Sequence, residues 1–428
     1  MSIRKFMSMG GRRGHLDEKP GSSGAQLGGN VAGVFARSVL LGHRSPFVFN
    51  CLLTLASTLL SVLVIEVGLR ALTRDGRLLG TRLVGPQLID PAGIRADSTR
   101  LRALYDPDLG WISRGDDEHG HPSANRPRVR TRGTRTYEPT APPGVLRVCA
   151  FGESFTRGDG VLANESWPSI VEAQTGGRIE VPNFGVGGYG LDQAYLCFRR
   201  NAALYHPDVV LVGLTVFAVE RTTSLYRPFY SHGNHIALVK PRFTCDAESL
   251  RAVIGVVPDP VAFTQELAGF AHHPLRPYES YYDAAIYESS WIDQSRLAWF
   301  VRSRLTWHER LARFRVERIL GPESEETLLT RLIVLRMKAQ TEAMGGRFAA
   351  VILPTSRSLR LLRDEHRDTW APIRNSLDAD GVEIWDLQTP FATGECGHCF
   401  LPDGHLTLEA NAEVAAGVIE HLQARVRR

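Results

Sequence analysis

The chain has 428 residues, 43% of them hydrophobic and 22% charged, with a formal net charge of +4. That length suits one large domain or two ordinary ones, and the composition excludes a disordered chain. So small a charge, with no aromatics interleaved among basic runs, gives no reason to expect a nucleic-acid partner.

The chain opens on a polar, glycine-rich tail holding Arg4, Lys5, Arg12, Arg13 and Lys19. No apolar periodicity precedes residue 31, so residues 1–46 read as a disordered basic tail. From Phe47 to Ile65 no residue is charged, close to the roughly 20 residues that cross a bilayer as a helix. A core helix would share this composition, and so would a secretory signal. A signal, however, has a shorter apolar core and a small-x-small cleavage site. Here the run continues as Glu66-Val67-Gly68-Leu69-Arg70, as if the helix persisted. A retained transmembrane helix over residues 47–69 is therefore expected. Arg37, Arg44 and the tail favour an inside amino terminus, whereas Arg70, Arg74, Arg77 and Arg82 oppose it. The large domain follows the span and is placed outside the cytoplasmic membrane, which in a Gram-negative bacterium is the periplasm.

Residues 70–145 form an approach segment rich in Arg, Pro and Gly. Within it Tyr105-Asp106-Pro107-Asp108-Leu109-Gly110-Trp111 is a turn flanked by aromatics, expected to be pinned to the main domain. Ala141-Pro142-Pro143-Gly144 ends the segment. Apolar runs then recur, predicting strands at Leu146–Gly152, Ile179–Phe184, Val209–Leu214, Phe348–Leu353 and Val382–Leu387. Helical spacing lies between them at Ser166–Gln174, Asp192–Leu204 and Ser324–Met344, the last with Ser324 as N-cap, and a closing helix at Leu408–Leu422. Strands alternating with helices imply parallel crossovers and a sheet covered on both faces. The expected class is α/β, a flavodoxin-like three-layer sandwich over 146–425 with five parallel strands in the order 2-1-3-4-5. Residues 215–322 interrupt it with six prolines between Pro228 and Pro277 and aromatic clusters such as Tyr278–Tyr282. A stretch this long reads as an inserted cap or substrate-shaping excursion, with helix near Gln294–Val316.

The chemistry gathers around Leu146–Thr156, LRVCAFGESFT. A buried strand runs straight into Gly152-Glu153-Ser154 and a turn, which puts Ser154 at the carboxyl end of a parallel strand, where α/β sheets bind their ligands. A serine nucleophile needs a base, and the base needs a carboxylate to orient it. Asp403 and His405, two apart on an extended segment after the fifth strand, can lean to the same side. Past the second strand, Gly185, Gly187 and Gly190 spell G-x-G-x-x-G. A dinucleotide site also needs an acidic residue closing the next strand. Asp208 opens that strand instead, so the glycines read as a backbone turn offering an N–H above Ser154. No cofactor is expected.

Gly152-Glu153-Ser154-Phe155-Thr156, the Gly187-Gly188 turn and Asp403-Gly404-His405 resemble three sequence blocks of the SGNH/GDSL hydrolase superfamily, over roughly Leu146 to Leu422. An amino-terminal anchor followed by a YDPDLGW-like segment resembles bacterial envelope members of that group. The resemblance implies Ser154 as nucleophile, His405 as base and Asp403 as its orienter. It also implies an oxyanion hole from the N–H groups of Ser154 and Gly188. Three departures stand out. Glu153 replaces the usual Asp. The Asp-x-His spacing is one residue shorter than usual and resembles that of polysaccharide O-acetylation proteins. After the third strand, Thr215–Thr222 holds no Asn to donate to the oxyanion. Loss of such a donor costs about 10²–10³ in kcat; Thr215 and Arg221 stand nearby, and neither is assigned the role.

Cys396-Gly397-His398-Cys399 resembles the redox motif of disulfide isomerases. That motif opens a helix, whereas Pro402 follows here within three residues. A structural disulfide between Cys396 and Cys399 is preferred, with free thiols next; a metal on Cys396, His398 and Cys399 lacks a fourth ligand. Cys149 reads as a small core residue. The sequence thus predicts a membrane-anchored serine esterase, acting on an acyl ester of an envelope or extracellular carbohydrate. One alternative is an O-acyltransferase for envelope polysaccharide; another is a non-catalytic scaffold that keeps the fold.

Overall fold

The computed structural model describes residues 46–72, 77–78, 81–82, 95, 97–112, 137–231, 237–246, 249–267, 269–288, 290–393 and 398–426. The basic tail, residues 113–136 and Cys396 lie outside the described residues. The chain divides into two compact units, Met1–Ser61 and Val62–Arg428. Helix α1 (Pro46–Leu72) has a mean hydropathy of 2.2 over its most apolar window and buries none of it. It is long and apolar enough to cross a membrane. In the larger unit, the Glu66 carboxylate accepts hydrogen bonds from Ser295 Oγ and from the N–H groups of Arg296 and Leu297, at 2.8–3.0 Å.

The sheet begins with β1 (Leu146–Gly152), which leads into the short helix α2 (Ser154–Arg157) and then α3 (Trp167–Gln174). Next come β2 (Ile179–Glu180), β3 (Asn183–Gly185), α4 (Leu191–Asn201), β4 (Val209–Leu214) and α5 (Val216–Glu220). After the excursion, which contains α6 (Arg227–Tyr230) and α7 (Arg296–Arg313), follow α8 (Glu325–Ala343), β5 (Arg347–Ile352), α9 (Ser356–Asp364) and α10 (Ala371–Ala379). β6 (Glu383–Asp386) and α11 (Leu408–Val426) complete the layers. The spatial order is β6-β5-β4-β1-β2, with β3 also on β1, and every one of these pairings is parallel. The second strand position is split in two because Val181-Pro182 interrupts it. Pro182 has no N–H to give the ladder, but its carbonyl still accepts from Ala150 N at 3.1 Å. That five-position order is the flavodoxin-like one expected from the alternation.

Alternating residues on each strand feed two cores. Cys149, Phe151, Val210, Val212, Ala350 and Ile352 pack with α4, α8 and α10. Val148, Ala150, Leu211, Ala349 and Val351 face Trp167 and Val171 of α3 and Val414 and Val418 of α11. Burial pushes the Cys149 thiol up to about 12, so it is an inert core residue. Ser324 caps α8 by accepting from Thr327 N at 3.0 Å. The excursion is better packed than its prolines suggest: Phe229 lies 4.7–5.3 Å, centroid to centroid, from Tyr226, Phe270, Tyr282 and Tyr287. These rings join the core on the α8 side. The Tyr105–Trp111 turn is tied down as well. Tyr189 Oη donates to Trp111 O at 2.6 Å, Gln193 Nε2 to Leu109 O at 2.7 Å, and Trp111 Nε1 to Gly187 O at 3.2 Å.

Candidate active site

Ser154 stands where β1 turns into α2. The turn is tight because Thr156 folds back over the strand ends. A Cβ on Gly152 would lie 2.1 Å from Thr156 Oγ1, and one on Gly213 of β4 would lie 2.2 Å from the same atom. Glu153 caps α2 with its own side chain, accepting from Ser154 N at 2.7 Å and Phe155 N at 3.1 Å. Its Oε2 also accepts from Ser154 Oγ at 2.5 Å. Gly158, at φ +79°, closes the helix in the left-handed region that glycine tolerates.

The residues after the third strand converge on the same carboxylate. Thr215 Oγ1, which caps α5 by accepting from Ala218 N, donates to Glu153 Oε1 at 3.2 Å. Arg221 Nη1 lies 3.5 Å from Glu153 Oε2 and donates to Tyr189 O at 3.1 Å. Glu153 is only 1% exposed, so this ring of donors replaces the water it has lost. One expectation needs correction. The Ser154 N–H, expected to face an oxyanion, already donates to Glu153, because glutamate's extra methylene lets the carboxylate curl back onto its own helix.

Asp403 and His405 sit in a loop just before α11. An antiparallel bridge joins Phe400 to Leu406, Leu401 N donates to His405 O at 2.8 Å, and Gly404 turns at φ +91°. His405 Nδ1 lies 3.0 Å from Asp403 Oδ2, and Asp403 Oδ1 accepts from His405 N at 3.1 Å. The bond to His405 is the main reason the Asp403 carboxyl is held below the usual carboxylate range. The imidazole packs on Phe155, the neighbour of Ser154, with ring centroids 5.4 Å apart. It also stands over Gly160, where a Cβ would lie 3.5 Å from His405 Cβ. Among the described residues no hydrogen bond joins Ser154 to His405; the serine hydroxyl is turned to Glu153.

The glycine loop after β3 completes the rim. Val186 N donates to Gly152 O at 3.2 Å, and a Cβ on Gly185 would lie 2.4 Å from Arg157 N. Only glycine lets this loop lie against α2. Gly188 has φ +82°, and among the described residues no protein group accepts from its N–H. Asp208 is far from any nucleotide role: it accepts from Arg147 N at 2.7 Å, at the opposite, amino end of β1. Near the His405 loop, Cys399 is disulfide-bonded and its carbonyl accepts from Thr407 N at 3.0 Å; its expected partner, Cys396, lies outside the described residues.

No protein-family model matches the chain, and no curated protein does. Solved structures are similar to it. A lipolytic protein of the G-D-S-L family from Veillonella parvula is 9% identical, with a TM-score of 0.33 over 64% of this chain and 97% of its own. A putative acylhydrolase from Bacteroides fragilis is 11% identical, with a TM-score of 0.33 over 78% of this chain and 98% of its own. The acetyl xylan esterase AlAXEase is 12% identical, again with a TM-score of 0.33, over 64% of this chain and 99% of its own.

Sequence reasoning overlooked two parts of this site. Glu153 read only as a replacement for the usual Asp, yet it is the acceptor around which Ser154, Thr215 and Arg221 are arranged; its only signal was that departure. Arg227, beside the Gly188 turn, sits in the excursion with no periodicity or motif to single it out.

Proposed function

We propose that the chain is a serine ester hydrolase. Ser154 Oγ attacks the acyl carbonyl while His405 Nε2 takes its proton. The tetrahedral intermediate then expels the alcohol, protonated by His405, and leaves an acyl-Ser154 ester. Water, deprotonated by His405, attacks that ester and restores the serine. Asp403 holds the Nδ1–H tautomer, which leaves Nε2 as the acceptor. Before attack the serine hydroxyl rotates from Glu153 to His405. The Gly188 N–H is the oxyanion donor that needs no prior release. What carries the reading is the packing of an Asp403-bonded His405 against the neighbour of Ser154, on the carboxyl rim of the sheet.

The substrate class follows from the sequence resemblance: an acyl ester, acetyl in the first instance, on an envelope or extracellular carbohydrate. We place the domain outside the cytoplasmic membrane, anchored by residues 47–69; the disulfide at Cys399 supports an oxidising compartment. The detergent-solubilised full chain should release p-nitrophenol from p-nitrophenyl acetate and take a fluorophosphonate label on Ser154. Ser154→Ala should abolish both, and Asp403→Asn should lower kcat about 10²–10⁴-fold. Acetyl appearing on an added oligosaccharide faster than free acetate would make the enzyme a transferase. Neither turnover nor label in the wild type would leave a non-catalytic scaffold.

A further inference from the structure

Beside the Gly188 turn lies a cleft of about 350 Å³ whose lining, among the described residues, includes Arg100, Arg157, Arg227, Trp111 and Gly187 and no carboxylate. Arg157 is paired with Asp159. Arg227 is different. Among the described residues its side chain forms no ion pair and donates no hydrogen bond, and its Nε is buried with no acceptor. Its guanidinium lies 5.6 Å from the Trp111 ring centroid. It also lies against Gly188, where a Cβ would come within 3.0–3.3 Å of Cζ, Nη1 and Nη2. The approach of Arg227 to the rim thus depends on a glycine at the residue expected to face the oxyanion.

A cation withdrawn from water without a partner is costly to maintain. Burial presses the Arg227 guanidinium below the usual arginine range, because desolvation disfavours its charged form. Other buried charges in this fold are answered: Lys240 meets Asp192, and Arg147 meets Glu180. An open cleft with an unanswered guanidinium calls for a partner that arrives with the ligand. The planar fork of arginine matches an oxyanion with two acceptor oxygens, and Trp111 offers a flat apolar wall beside it.

We propose that this cleft is an anion subsite, in which Arg227 binds a carboxylate or phosphate carried by the ester substrate. The preferred substrates are then acylated acidic carbohydrates rather than neutral ones. This inference rests on the hydrolase reading for its substrate but not for its binding site.

Both can be tested on the full chain in detergent. Calorimetry on Ser154→Ala should detect acetylated oligogalacturonate binding, weakened by salt and at least 10-fold weaker once the carboxyls are methyl-esterified. Galacturonate and inorganic phosphate as competitors separate the two anions. Arg227→Gln should weaken binding about 10–100-fold, the range for a charged hydrogen bond, and Arg227→Lys should restore part of it. In the active chain, Arg227→Gln should lower kcat/KM for the acidic ester relative to its methyl-esterified form by the same factor. Equal binding of acidic and esterified oligomers, with no change on Arg227→Gln or Arg227→Lys, would overturn the subsite. Arg227-dependent binding in a chain with no turnover and no fluorophosphonate label would overturn the hydrolase reading and leave the subsite standing.

Discussion

Glu153 gathers more donors than any other group at the rim. Both of its oxygens accept: one from Ser154 N and Oγ, the other from Phe155 N and Thr215 Oγ1, with Arg221 close by. Glu153→Gln replaces one accepting oxygen by an amide that can only donate, so at least one of those buried donors loses its partner. The expected cost is about 1–3 kcal/mol, read as a lower urea midpoint at unchanged m-value. Asp403, by contrast, is 58% exposed, so Asp403→Asn should cost activity and little stability. The Asp403 carboxyl is depressed, so it stays ionised at pH values where ordinary aspartates begin to protonate. Whatever stability its bond to His405 adds is present above the ordinary aspartate range and lost as pH falls through the lowered value.

At the scale of elements, the site depends on how closely β1, β4 and α2 approach. Thr156 sits between two strand glycines, and among the described residues its buried Oγ1 has no hydrogen-bond partner. Its cost is tolerated because the side chain fills the gap between Gly152 and Gly213. Gly213→Ala should therefore destabilise by about 1–3 kcal/mol through overpacking. Thr156→Ala in the same chain should recover much of that loss, giving a non-additive double-mutant cycle by thermal denaturation. Additive effects would mean the two residues do not press on one another. The two buried faces of the strands were legible in the near-continuous apolar runs of β1 and β4. The split of the second strand position was not: Pro182 removes a donor there, but whether its carbonyl still joins the ladder depends on where β1 lies.

For the whole molecule, α1 is long and apolar enough to cross a membrane, and the anchor proposed above can be tested. Phe47 is 73% exposed, and the residues from there to Ile65 are exposed as well. The full chain should stay with membranes through alkaline carbonate and need detergent for release. Added protease should digest the large domain from the outer face of spheroplasts. Release by carbonate, or protection from external protease, would contradict the anchor or its orientation. The excursion shows a different limit. Its prolines suggested irregular structure, but Phe229 and its neighbours bury a ring cluster continuous with the main core. Aromatics spread over some sixty positions have no period that a linear reading can detect.

What the sequence determined by itself was local and periodic: an apolar helix over residues 47–69, apolar strands of a sheet covered on both faces, the N-cap of α8, and the chemical types of Ser154, Asp403 and His405. Each depends on neighbours within a few positions, so hydrophobic period and capping chemistry suffice to read it. Only the tertiary structure decided the rest. It turned the Ser154 hydroxyl to Glu153, brought Thr215 and Arg221 to the same carboxylate, and left Arg227 unanswered beside Gly188. These are contacts between side chains whose meeting is set by strand order and loop path, and burial then fixes how much each unpaired charge or donor costs.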